Sequence, residues 1–268
     1  MKIIAYSTFL CILLTSCQDS EHQTRRQNLK GEYIYRKKNE IFFTPSPPLS
    51  KPPLHYPWQR SLITKNFFRC RGNDLNPIVV KKRDGREPIY FRDCPGGERH
   101  GLPLHDGEEF VYPCLIDLLN YIQEKSGHKV YITTGHRCPE HNSYCDHSPS
   151  NWGSKHMLGA EVDFYVVGME RDPENVISLV QQFYTETPPY QGDKAFEEFS
   201  RFHRQGLNVS TPPWHNKEIF IKLYRKDEGR DFDNQHPYPY IGIQVRYDRD
   251  QKKQVVFEQG QTQNFLRN

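Results

Sequence analysis

Ser154–Val167 reads SKHMLGAEVDFYVV, and the fold turns on how that stretch is understood. From Ala160 onward, β-branched and aromatic residues dominate, as expected of a strand running to Val167. Side chains alternate along a strand, so Ala160, Val162 and Phe164 face one way and Glu161, Asp163 and Tyr165 the other. Gly159 lets the chain swing from the polar turn Ser154–Leu158 into that strand. A carboxylate on one face, preceded by His156 in the turn, is a pairing that could hold a divalent metal. A loop histidine and an exposed strand aspartate account for the same letters, since a lone His-x6-Asp arises readily by chance.

Working outward, Lys129–Thr134 alternates around Val130 and Ile132 and predicts a strand leading into Gly135-His136-Arg137. Ahead of it, Cys114, Leu115, Leu118, Leu119 and Ile122 recur at helical spacing over Tyr112–Ser126, with Gly127 as the stop. Asn73–Gly107 is rich in Gly, Pro, Asp and Arg around short apolar pieces, the signature of hairpins and loops. Downstream, helices are predicted over Glu174–Thr185 and Phe196–His203, and strands over Glu218–Tyr224 and Tyr240–Tyr247. Strands and helices mix without regular alternation, so the expectation is α+β: a small, mainly antiparallel sheet packed with helices in a single domain, residues 61–268.

The N-terminal part differs in kind. Residues 1–17 have a basic start, an apolar run too short to span a bilayer comfortably and small residues before Cys17, which reads as an export signal. Leu14-Thr15-Ser16-Cys17 resembles a bacterial lipobox, which implies a lipid-bearing Cys17 and an exported chain anchored to a bacterial membrane, facing the periplasm or cell surface. Residues 18–60 are polar and then Pro-rich, the composition of an extended tether. The net charge of +3 comes from 36 basic against 33 acidic residues spread along the chain, so nothing points to nucleic acid, and a monomer is expected.

Export places the remaining cysteines in an oxidising compartment. The expected bridges are Cys70–Cys94 and Cys138–Cys145, each flanking a short polar segment, with Cys114 left as a thiol on a helix face. A thiolate zinc cluster is disfavoured because the chain has no CxxC pair.

Taken together, TTGHRCPEHN and SKHMLGAEVDF resemble the zinc D-alanyl-D-alanine carboxypeptidases and related peptidoglycan peptidases, whose pattern is roughly SGxRxPxHN, then SxHxxGxAxD, then a later His. Gly135, Arg137, Pro139, His141, Asn142, Ser154, His156, Gly159 and Asp163 fall in register, whereas Glu161 stands where the family has a small residue. The resemblance implies a Zn2+ held by His156 and Asp163, with Arg137 gripping a substrate carboxylate or carbonyl and Ser154 orienting substrate or turning the chain. His141 is expected to be structural. The family's third ligand is a His preceded three residues earlier by an acidic general base, a spacing met by His236 and Asp233. Two alternatives stay open: His215, in the string PWH, or loss of the ligand, because alignment on YIGIQV puts Gly242 at that position. Glu161 and Glu218 are further candidates for the base. The implied activity is that of a membrane-anchored zinc peptidase cleaving peptidoglycan stem peptides; the alternative is an inactive peptidoglycan-binding lipoprotein that keeps the fold.

Overall fold

The computed structural model describes residues 61–268 except 98, 149–152 and 268, together with two short strands nearer the N-terminus. The chain divides into two units, Met1–Pro53 and Leu54–Asn268. In the first, β1 (Thr24–Gln27) pairs antiparallel with β2 (Tyr33–Arg36), so the segment expected to be a plain tether contains a hairpin. The proposed signal, Cys17 and the Pro-rich run lie outside the described residues. Among the described residues no helix is long and apolar enough to cross a membrane.

In the second unit, the Gly- and Asp-rich segment forms two antiparallel pairs as expected: β3 (Val79–Arg83) with β4 (Arg86–Phe91), and β5 (His100–His105) with β6 (Glu108–Glu109). Helix α1 (Pro113–Ser126) begins at a proline whose missing N–H costs nothing in a first turn, and ends at Gly127 in the left-handed conformation. Then come β7 (Val130–Thr134), the short helix α2 (Pro139–Cys145), a 3-10 turn Lys155–Leu158, β8 (Glu161–Val166) and helix α3 (Pro173–Glu186).

The helix expected over Phe196–His203 is only the single turn α4 (Lys194–Glu197). Beyond it the Phe202 N–H bonds to the Pro213 carbonyl, and β9 (Ser200–Arg201) pairs with β10 (Trp214–His215). Tertiary strand pairing overrides the local helical pattern there. The chain continues through β11 (Ile219–Tyr224), β12 (Tyr240–Val245), the pair β13 (Tyr247–Asp248) and β14 (Lys253–Gln254), and β15 (Phe265–Arg267), which pairs with β5.

The central sheet has the order β7-β8-β12-β11-β10-β9, and every pairing in it is antiparallel, which gives the expected α+β class. One face is apolar: Val162 and Phe164 of β8 and Ile241 and Ile243 of β12 join Leu115, Leu119, Ile177 and Val180 of α1 and α3 in one core. The opposite face of β8 carries Glu161, Asp163 and Tyr165. That face is covered too, so Glu161 is 6% and Asp163 5% exposed, rather than being open to solvent as the alternation alone suggested.

Candidate metal centre

Asp163 sits in the middle of the sheet, opposite Gly242 of β12 on one side and Thr134 of β7 on the other. Glu161, two residues earlier, shares its face and lies opposite Gln244, whose amide donates to Glu161 Oε1 at 2.7 Å. The turn Lys155–Leu158 closes on Gly159 at φ +66° and delivers His156 onto the same two carboxylates. His156 Nε2 stands 3.5 Å from Asp163 Oδ2 and 3.8 Å from Glu161 Oε1, all three residues being buried. His156 Nδ1 donates to the Gly135 carbonyl at 2.8 Å, which orients the ring so that Nε2 faces the carboxylates. Burial by itself would lower the His156 pKa, but Glu161 and Asp163 outweigh it and the net shift is upward.

Donor atoms of His156, Glu161 and Asp163 all lie within 4.8 Å of one another, close enough to hold one metal ion. Two buried carboxylates on adjacent same-face positions are costly unless a cation faces them. One imidazole with two carboxylates is an N/O donor set that suits a divalent ion, so the residues present fit the group implied by the resemblance, with Glu161 in a place the sequence did not assign it.

Neither late histidine joins this trio. His215 lies on β10, three strand spacings or about 14 Å from β8. Its Nδ1 accepts from Arg246 Nη1 at 3.1 Å, and its ring stacks on Phe220. His236 comes nearer, its ring lying against Tyr165, one pleat beyond Asp163, and against Tyr240. Burial and the charge of Arg230 lower its pKa. The position directly across from Asp163 belongs to Gly242, and a Cβ there would come within 2.8 Å of Asp163 Oδ1.

Arg137 and Asp233 stand beside this trio, tied to each other. Arg137 Nε donates to Asp233 Oδ2 at 2.9 Å and Nη2 to Asp231 Oδ2 at 2.7 Å, with the guanidinium almost wholly buried. Asn234, from the same segment, donates to Asp163 Oδ2 at 3.1 Å and so carries the contact across to the metal trio. Asp233 Oδ1 also faces His141 Nε2 at 3.2 Å, while His141 Nδ1 meets Asp93 Oδ1 at 2.6 Å. Burial would raise Asp233, but the hydrogen bond from His141 and the charge of Arg137 hold it well below the usual carboxylate range. In Asp231 burial prevails over the same guanidinium and the shift is upward, so Asp233 is the firmer anion of the two. His141 thus clamps Asp93 to Asp233. Ser154 is half-buried, and its backbone opens the turn that carries His156.

The cysteines depart from expectation. Cys70, Cys94, Cys114, Cys138 and Cys145 are all free of disulfides, so neither anticipated bridge is formed. Cys138 turns toward Cys70 and Cys94, whereas Cys145 Sγ lies 3.3 Å from His141 Nε2. Cys70, Cys94, Cys138 and His100 make a second group whose donor atoms lie within 4.8 Å of one another. Lack of a CxxC pair concealed it, because Cys70, the Cys94–His100 segment and Cys138 lie far apart in the chain. His136, fully buried nearby, is held neutral at a pKa lowered to about 3, by burial above all.

Compared with known proteins, the chain matches no family model, no curated protein and no solved structure.

Proposed function

We propose that the chain is a metal-dependent peptidase acting on peptidoglycan stem peptides, tethered to a membrane through Cys17. The convergence of oriented His156 with Glu161 and Asp163, beside Arg137 and Asp233, carries this reading. The substrate class rests on the resemblance of residues 134–142 and 154–163 to the peptidoglycan peptidases, and zinc rests on the resemblance and the donor set. A divalent cation bound there would polarise a substrate carbonyl and acidify water.

The chain's own residues do the rest. Arg137 presents a planar fork suited to a carboxylate, and Asp231 and Asp233 now occupy it as a substrate carboxylate would. Substrate entry exchanges one set of carboxylates for the other, Asp231 and Asp233 giving up Arg137 while Asp233 stays at the site. Released from Arg137, Asp233 loses a charge that suppresses its basicity, and it becomes able to take a proton from the attacking water and hand it to the departing amine.

The test is mass spectrometry of muropeptides incubated with the full-length chain and Zn2+. Cleavage at a stem peptide bond is expected, falling to background in His156→Ala and Glu161→Gln and by about 10- to 100-fold in Gln244→Ala, which removes only a partner of Glu161. A second reading, a stem-peptide-binding lipoprotein without turnover, draws on Gly242 standing across from Asp163 and on the occupied Arg137. Muropeptides that bind metal-loaded protein yet emerge intact would establish that reading instead.

A further inference from the structure

The thiol and imidazole group formed by Cys70, Cys94, Cys138 and His100 lies apart from the proposed active centre and is used by no step above. All four residues are buried, with Cys138 fully so and the others no more than 5% exposed. The Cys70 and Cys94 sulfurs are 3.6 Å apart, and Cys94 Sγ is 3.3 Å from His100 Nε2. A disulfide would need about 2.0 Å. Four donors arranged tetrahedrally about Zn2+, with Zn–S about 2.3 Å and Zn–N about 2.0 Å, stand about 3.8 Å apart for S···S and about 3.5 Å for S···N. The observed separations match the second arrangement.

Backbone donors face two of the sulfurs. Gly96 N–H points at Cys94 Sγ and His141 N–H at Cys138 Sγ, each at 3.4 Å. His100 Nδ1 donates to the Gly101 carbonyl at 3.4 Å, which turns Nε2 toward the sulfurs. The backbone folds tightly around the group: Gly97 N–H bonds to the Cys70 carbonyl at 2.9 Å, and a Cβ at Gly72 would run into Cys94 Sγ. Gly96, at φ +85°, makes the turn that brings Cys94 to Cys70.

We propose that Cys70, Cys94, His100 and Cys138 form a structural Cys3His zinc site. All four positions of a tetrahedral ion are then filled by protein, which leaves no place for substrate and makes the role one of holding segments together. Its place in the fold says which segments. Cys138 directly follows Arg137 and opens α2, with its sulfur at the helix N-terminus. Cys94 follows Asp93, whose carboxylate accepts from the Cys94 N–H at 2.8 Å and also holds His141. The ion pins the loop that aims Arg137 and the Asp93–His141–Asp233 chain that steadies it.

The test uses the full-length chain purified without chelator. Elemental analysis and release by a thiol-blocking mercurial, read with a metal-sensitive dye, should give about one zinc equivalent that resists His156→Ala and is lost in Cys94→Ser and Cys70→Ser. Cys114→Ser and Cys145→Ser should retain it. Should the cysteine variants fail to fold, Co2+-loaded wild-type protein decides, because thiolate coordination gives an intense sulfur-to-cobalt charge-transfer band that the His156, Glu161 and Asp163 set cannot produce. A Cys70–Cys94 disulfide in non-reducing peptide maps, or metal-loaded protein without that band, would overturn the proposal. Since the readout needs no hydrolysis, it stands or falls separately from the peptidase reading.

Discussion

At the scale of single residues, Gly242 and Glu161 define the centre between them. Gly242 gives Asp163 the room it uses; an alanine there would press on Asp163 Oδ1 at 2.8 Å and on the Tyr224 ring at 3.1 Å. Overpacking of this kind costs about 1–3 kcal/mol. Gly242→Ala should therefore lower the denaturant midpoint by a corresponding amount and weaken metal retention, as read by equilibrium unfolding and metal analysis. Normal stability and metal content in that variant would mean that the face is looser than described.

Glu218, also a candidate base from the sequence, is instead a buried carboxylate receiving the Tyr184 hydroxyl at 2.9 Å, away from the metal trio. Burial raises its pKa above the ordinary 4.5, against the opposing hydrogen bonds from Tyr190 and Tyr184 and the charge of Arg249. The folded state then keeps a proton that the unfolded chain has released, so this contribution to stability is full below the ordinary pKa and lost as pH rises through the raised one. Across that window the stability of the wild type should decline relative to Glu218→Gln. Parallel pH profiles of the two in chemical denaturation would contradict this.

Among the elements, β8 does two jobs: Val162 and Phe164 enter the core while Glu161 and Asp163 present donors. The segment after β11 does a third, laying Asp231 and Asp233 on Arg137 and Asn234 on Asp163. Asp231 is the looser clasp, its side chain 22% exposed against 7% for Asp233. Asp231→Asn should accordingly lower KM for muropeptides by easing displacement of the carboxylates from Arg137 while leaving kcat near its starting value; Asp233→Asn should abolish kcat. A fall in kcat for Asp231→Asn with KM unchanged would show that the segment does not compete with substrate.

The periodicity of β7, β8, β11, β12, α1 and α3 made those elements legible in the sequence, because each has one apolar face and clear end signals at Gly127 and Gly159. Residues 196–203 misled because strand pairing with 214–215 prevailed over a local helical pattern. His156 and Asp163 could be singled out since a turn and one strand bring them together. Glu161 entered only as a further candidate base and not as a donor, because alternation says which side a residue faces and not whether that side is covered. Asp231, Asn234 and the Cys3His group depend on segments from 24 to about 100 positions apart, where no local pattern operates.

For the molecule as a whole, two of the donor groups able to hold a metal flank the loop that carries Arg137. One draws its donors from a single turn and strand; the other gathers three separate segments, those of Cys70, of Cys94 and His100, and of Cys138. On this account the first group does chemistry and the second keeps the loop in place. Anomalous diffraction at the zinc edge, from crystals of the full-length chain grown with Zn2+ and without chelator, tests the division most directly. The expected map has one peak among His156, Glu161 and Asp163 and another among Cys70, Cys94, His100 and Cys138. A map with no peak at the first position would remove the basis for a hydrolytic centre in this protein.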